Sequence, residues 1–446
     1  MINALRAQIL PAVQFAFRGN RSRADKLRGL VEFGPYGEMP LKQPPTFGFV
    51  FPSECRDQAN RLFLYLKNGV GPFKGVESTF RFPLKREQVF SVTGFSVQNR
   101  RSHDAARIYA DAILDWHTSR PTQRPDLFFI LHPQTSQSEL DTPYYACKAR
   151  LLREGILSQN VTLELINDEA KFRWSAANIA LAAFAKLGGI PWVVYGEDGE
   201  DLDQNLIIGL GRAYLYDPAT RHTNGYMGFT ACFSSRGVFK FVALAEVTDN
   251  RHRYLELLGK VVSDSLGRAE QMTKTITSLT LHIPKDMSKQ EDDAVRNAVQ
   301  KHPTQKILQI TAVRVSDDPG VFAIDDRFRD GVPQRGTVIH VGEDEYLLYT
   351  EGRDEKENWV GLRPPVALRV TPQSGTFQAR RALAVLRQIN DLSQVNWRGF
   401  NARSQPISVY YGSLITRLLS HIPAGDMSAL AAGSAHQILE ERMWFL

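Results

Sequence analysis

Apolar residues fall along the chain in two spacings. "TFGFVFPSE" (46–54) and "DLFFILHPQ" (126–134) are continuously apolar over several positions, which predicts strands buried on both faces. "CRDQANRLFLYLKNGV" (55–70) carries its apolar residues at helical period. So does "HDAARIYADAILDWHTSR" (103–120), with Ser102 as its cap. "YYACKARLLREGILSQN" (144–160) reads as a further helix followed by a turn, and "NVTLELI" (160–166) as a strand. A long helix follows at 171–188, closed by Gly188 and Gly189, then a strand, "IPWVVYG". This alternation, from about 46 to 196, predicts a Rossmann-like parallel sheet with helices on both faces.

After "EDGEDLDQ" the pattern changes. "NLIIGLGRAYLYD", "GYMGFTACFSS" and "GVFKFVALAEV" read as three consecutive strands. A helix at 251–272, the strand "TSLTLHIPK", a helix at 288–301 and the strand "KILQITAVRV" come next, then the hairpin "GTVIHVGEDEYLLYT". "RRALAVLRQINDL", "PISVYYGSLITRLLSHI" and "HQILEERMWFL" complete the chain. A meander followed by alternating helices and strands is the order of a ribonuclease-H-like fold. The chain is therefore expected to be α/β, with a basic segment at 1–40, a Rossmann-like domain at 41–196 and a ribonuclease-H-like domain at 197–446.

Composition adds little to that picture, and charge adds more. No apolar run reaches the ~18 residues of a membrane span. The opening "MINALRAQILPAVQFAFRGN" is broken by Arg6 and Pro11 and lacks the apolar core of a signal peptide. The three cysteines, Cys55, Cys147 and Cys232, stand singly, without metal or disulfide spacing. A cytoplasmic protein with reduced thiols is expected. Of the net charge of +6, the first 100 residues carry more than the whole, with fifteen Lys and Arg against seven Asp and Glu. A basic segment on a near-neutral body suits a polyanionic partner, and equally suits solubility.

The candidate chemistry lies in the middle of the chain. Tyr144 and Lys148 are four apart and share one helix face. With Gln159 just beyond, they form either a solvated flank or the floor of a phosphate pocket. Lys186 lies near a helix C-terminus, with Asn178 two turns before it. Lysines, a glutamine and a tyrosine hydroxyl converging from separate elements suit a terminal phosphate, which carries nearly two charges.

This spaced set, "YYACK", "ILSQN" and "ANIALAAFAKLGG", resembles the MID–PIWI half of Argonaute proteins of the short prokaryotic class, from about residue 30 to the end. "GTVIHVGEDEYLLYT" and "NWRGFNARSQPISVYYGSLITRLL" are weaker parts of the same likeness. The resemblance implies that 41–196 is a MID domain and 197–446 a PIWI domain. It implies that Tyr144, Lys148, Gln159, Asn178 and Lys186 hold the 5′ phosphate of a short guide. It further implies that the carboxylate of Leu446, with Gln159, helps hold a magnesium ion against that phosphate. The catalytic carboxylate positions of the family fall on Gly211 and Pro284, while Asp217 and Asp286 lie shifted nearby. The PIWI domain is thus expected to be catalytically inactive. A guide RNA with a 5′ phosphate, a complementary single-stranded DNA target and a partner effector carrying an APAZ region, of Sir2, TIR or nuclease type, are the implied partners, in prokaryotic defence. The alternatives are an active guide-directed nuclease and a small-molecule sensor built on the Rossmann-like half.

Overall fold

From the N-terminal side, Arg6–Ile9 forms β1, Phe15–Phe17 β2, Arg21–Arg23 β3 and Lys26–Phe33 helix α1. The Asp25 carboxylate accepts the backbone N–H of Arg28 at 3.0 Å, capping one of the amides that the first turn of α1 leaves unpaired. The computed structural model describes residues 6–98, 102–134, 143–196, 205–217, 222–245, 248–272, 276–284, 288–301, 309–342, 345–354, 356–358, 367–372, 382–419 and 435–446. The basic N-terminal segment is spread over two sheets. β2 pairs with β3 in a small antiparallel sheet, while β1 lies at the edge of the large sheet built by the second half of the chain.

The next stretch alternates. It runs β4 (Phe47–Val50), α2 (Arg56–Asn68), α3 (Gly75–Phe80), β5 (Val89–Val92), α4 (Ser102–Ser119), β6 (Leu127–His132), α5 (Pro143–Arg153), β7 (Ser158–Thr162), α6 (Leu163–Asn167), α7 (Glu169–Lys186) and β8 (Val193–Val194). Four strands pair in parallel in the order β5-β4-β6-β7. Side chains alternate across this sheet. Phe49 and Phe129 join Phe63 and Phe172 on one face, and Val50, Phe128 and Ile130 join Tyr109 and Leu151 on the other.

Two expectations are corrected here. "NVTLELI" is strand only as far as Thr162, because β6 ends at His132, its partner, and the ladder has nothing further to pair with. The chain then turns into α6. β8 does not extend the parallel sheet but pairs antiparallel with β2, Phe15 opposite Val194. The long helix ends in a Schellman motif. Gly188 N–H donates to Ala185 O at 2.9 Å and Gly189 N–H to Phe184 O at 3.1 Å, with Gly188 at φ +88°, where glycine meets no Cβ penalty.

In the second half, β9 (Asn205–Asp217), β10 (His222–Ser234) and β11 (Phe239–Leu244) form the antiparallel meander. α8 (Arg251–Met272) leads to β12 (Ser278–Ile283), parallel to β9, and α9 (Lys289–Gln300) to β13 (Gln309–Ser316), parallel to β12. The hairpin β14 (Thr337–His340) and β15 (Tyr346–Leu348), then β16 (Leu368–Pro372), complete a nine-stranded sheet in the order β1-β14-β15-β16-β13-β12-β9-β10-β11. α10 (Ala382–Gln394) and α11 (Ile407–Leu419) follow, and a last helix, Ala435–Glu441. α8 packs on one face of the sheet with Ile208 and Leu279. α11 packs on the other with Ile207 and Phe229. That second cluster is continuous with the parallel sheet's core, so Phe129, Phe172, Phe229, Tyr411 and Trp444 share one apolar interior. Trp192 and Trp444 are fully buried in it, and truncating either to alanine is expected to cost about 3–5 kcal/mol.

Candidate nucleic-acid interface

Tyr144 and Lys148 lie one turn apart on α5, which begins at Pro143, a residue pre-set for the first helical position. Lys148 is buried, and its Nζ donates to the Tyr144 hydroxyl and to the main-chain oxygen of Leu446, each at 3.1 Å. Leu446 ends the buried run Met443–Leu446, in which Phe445 packs on Tyr411 and Phe239. Lys186, at the end of α7, is also buried and donates to Ser158 O at 2.8 Å and Gln159 Oε1 at 2.7 Å. Gln159 stands in β7, the edge strand, and not in the turn expected for it. The residues 156–157 that precede β7 end the turn earlier than sequence pattern suggests.

Tyr144, Gln159, Asn178, Lys186 and Leu446 line one cavity of about 340 Å³, with His132, Asn160, Thr162, Ser175 and Arg398. Lys148 lies behind Tyr144 and Leu446. No Asp or Glu lines this cavity among the described residues. Its electrostatics follow. Burial, with the charges of Lys148 and Arg398 added, holds the Lys186 pKa well below the usual lysine value. Burial pushes the Tyr144 hydroxyl upward, but the charge and hydrogen bond of Lys148, with Arg398 and Arg417, outweigh it and hold its pKa below the usual phenol value. The Nδ2 of Asn160 is buried without a hydrogen-bond partner. Lys186 and Arg398 in the wall, Lys148 behind it against the Leu446 terminus, and an unspent N–H donor give the cavity groups that suit an anion.

Sequence reasoning gave no site role to Arg398, His132 or Asn160. Arg398 comes from the loop 396–401, which leads towards α11. Asn178 holds that loop. Its Oδ1 accepts the Phe400 N–H at 3.2 Å, and Gly399 lies against its side chain. Lys26 holds the other side, its Nζ donating to Phe400 O at 2.9 Å between the rings of Phe15 and Trp192. Trp397 adds a bond from its indole N–H to Trp192 O at 3.1 Å. Asn178 thus lines the cavity while its carbonyl positions the loop that brings Arg398 in.

A model of the Piwi domain matches residues 129–422. The chain belongs to the Piwi family. It is 22% identical to an argonaute of Cereibacter sphaeroides over 99% of its own length and 59% of that protein's. It is 22% identical to a Piwi protein of Archaeoglobus fulgidus over 64% of its own length and 67% of that protein's. Among solved structures, it resembles Clostridium butyricum Argonaute bound to a guide DNA and a 19-mer target DNA, with TM-score 0.68 and 17% identity over 94% of this chain and 54% of that one. It also resembles Drosophila Piwi, with TM-score 0.69 and 14% identity over 99% of this chain and 56% of that one. The chain therefore spans a little over half the length of most of these relatives. The mixed α/β architecture with a ribonuclease-H-like Piwi sheet is the fold that these neighbours share.

In this Piwi domain Gly211 sits in β9 opposite Phe229 of β10. A Cβ at 211 would lie 1.9 Å from the Phe229 ring, so a side chain has no room there. At Gly209, on the same face, a Cβ would meet Ser408 O of α11 at 2.1 Å. His282 pairs with Gly209 across the strands, and its Nδ1 lies 2.6 Å from Ser408 Oγ. Burial lowers this imidazole to about 4, so it stays neutral near pH 7. Pro284 directly follows β12. Asp217 closes β9, and Asp286 lies outside the described residues.

Proposed function

We propose that this chain is a short Argonaute-type guide binder that holds the 5′ phosphate of a short guide and presents it for pairing with a complementary target. The observation that carries this is the cavity where Lys186, Tyr144, Gln159 and Asn178 meet Arg398 and the Leu446 terminus, with Lys148 directly behind and no Asp or Glu lining it among the described residues. A phosphate dianion would replace the repulsion between buried cations by charge-assisted bonds. It would draw the Lys186 ammonium from Gln159 Oε1 and the Lys148 ammonium from Leu446 O. Those two oxygens are hard donors of the type magnesium takes, and both bear on one cavity. Magnesium is proposed to enter with the phosphate, held by Gln159 and Leu446, where it would neutralise the phosphate's remaining charge.

The guide is proposed to be RNA and the target single-stranded DNA, in a cytoplasmic defence role. The Piwi domain is proposed to lack cleavage chemistry, a reading supported by the Phe229 ring packed beside Gly211 and by proline at 284. Output then comes from an APAZ-bearing effector of Sir2, TIR or nuclease type, switched on when the target pairs. The test is direct. Lys148→Ala with Lys186→Ala should weaken binding of 5′-phosphorylated guides far more than of 5′-hydroxyl guides. Equal losses for both would reject the phosphate pocket. Cleavage of a paired target by the purified chain with magnesium or manganese would reject the inactive assignment. A co-purified effector with equal activity on matched and scrambled targets would reject the relay.

A further inference from the structure

Trp174 is 61% exposed, on the helix that lines the cavity. It lies one turn before Asn178, whose Nδ2 reaches its main-chain oxygen at 3.5 Å. Ser175 beside it is part of the cavity wall. The turn that carries it is anchored from below, where Phe172 is buried under Tyr65 at 5.0 Å between ring centres. The Arg173 guanidinium stands 4.9 Å from the centre of the Trp174 ring. The Arg173 stem is set against the loop at Gly71, where an added Cβ would come within 3.0 Å of Arg173 Cβ. Of the two acidic residues that start α7, Asp168 is tied to Lys171 by a 2.7 Å ion pair. The result is an exposed indole beside an exposed guanidinium, next to a cavity that Lys186 and Arg398 line.

We propose that Trp174 and Arg173 form a stacking platform for a base of the strand whose terminal phosphate occupies the cavity. The proposal rests on the phosphate-pocket reading above and extends it along the strand. An indole face takes any base, and a neighbouring guanidinium serves the phosphate between two bases, so the platform reads no sequence. Trp174 lies twelve residues before Lys186, ~18 Å along the helix axis at 1.5 Å per residue. At 3.4 Å per stacked nucleotide that is about five nucleotides from Lys186, beyond the first base. The platform therefore holds the interior of the strand in a stacked path.

The experiment uses the full chain and fluorescein-labelled single strands that differ only in bearing a 5′ phosphate or a 5′ hydroxyl. Trp174→Leu should weaken binding of both strands about 5- to 100-fold, the range of one base–aromatic stack. Trp174→Phe should restore most of the loss, because it keeps a ring, whereas leucine keeps only bulk. An abasic site scanned along the strand should remove the Trp174→Leu penalty at one interior position. Unchanged thermal melting is expected for both variants, since the ring packs little of the core. Affinities that do not differ between wild type, Leu and Phe, with 5′-phosphate preference intact, would overturn the platform and leave the pocket standing. Loss that appears only when a protein partner is added would overturn it too and mark Trp174 as a protein interface. A wild-type chain with no 5′-phosphate preference would instead overturn the pocket reading.

Discussion

The backbone N–H of Phe400 donates to Asn178 Oδ1 at 3.2 Å, which fastens a loop of the second half of the chain to a helix of the first. The loop carries Arg398 into the cavity, so Asn178 positions a cation that it does not touch through its own amide oxygen. Asn178→Leu should therefore act as Arg398→Ala does. Each is expected to lower affinity for a 5′-phosphorylated strand about 10-fold or more, a charge-assisted bond being worth ~1.5–3 kcal/mol. The double variant should lose little beyond either single one, because both remove the same contact. A binding cycle over the four proteins measures this, and strictly additive losses would separate the two residues.

Lys186 should make phosphate binding pH-dependent. Its pKa is held below the lysine range by burial and by the charges of Lys148 and Arg398. An arriving dianion stabilises the ammonium form and raises that pKa, so binding takes up protons. Affinity is then expected to fall as pH rises through the depressed pKa of the empty cavity. Lys186→Arg keeps its charge throughout and should flatten the profile. Parallel profiles for the two proteins, from about pH 6 to about pH 9, would assign the titration elsewhere.

Divalent cations should matter only with the phosphate present. In the structure Gln159 Oε1 and Leu446 O each accept an ammonium hydrogen, which leaves a lone cation an unwelcoming site. Chelation is expected to weaken binding of a 5′-phosphorylated strand and leave a 5′-hydroxyl strand unaffected. Gln159→Leu should abolish that difference. Titration calorimetry with magnesium alone should give no heat, and a saturable signal would detach the metal from the phosphate.

Gly211 should resist any side chain. The Phe229 ring fills the space where a Cβ would go, so Gly211→Ala is expected to cost about 1–3 kcal/mol through overpacking. Phe229→Leu in the same chain should recover part of it, although alone it destabilises by leaving a gap. Urea unfolding of the four proteins gives the coupling, and a Gly211→Ala variant as stable as wild type would show that the ring moves aside freely.

The elements that were legible in sequence are those whose apolar period is long. The helix at Arg251–Met272, the meander Asn205–Leu244 and the hairpin at β14 and β15 follow from spacing alone. β8 was recognisable as a strand, but its partner was not, because two residues of pairing to β2 leave no periodic trace. β5, whose "VFSV" mixes half-buried positions, escaped altogether. At the cavity, Tyr144, Lys148, Gln159, Asn178 and Lys186 could be named because they cluster within 43 positions of one another. Arg398 could not, since it reaches the cavity through Asn178 and Lys26, contacts separated from it by hundreds of residues. The unpaired Asn160 Nδ2, one position from Gln159, depends on burial, which spacing does not reveal.

β1 pairs with β14, Arg6 opposite His340. On the ribosome the first of these strands emerges about 330 residues before the second. At ~5–20 residues per second, β1 waits roughly 15–70 s for its partner. Its four residues are all exposed, and Arg6 and Gln8 break its apolar character, so it offers other chains a poor template while it waits. That edge of the sheet therefore closes only once β14 has been made, and the sheet is complete only when β16, Leu368–Pro372, has followed it.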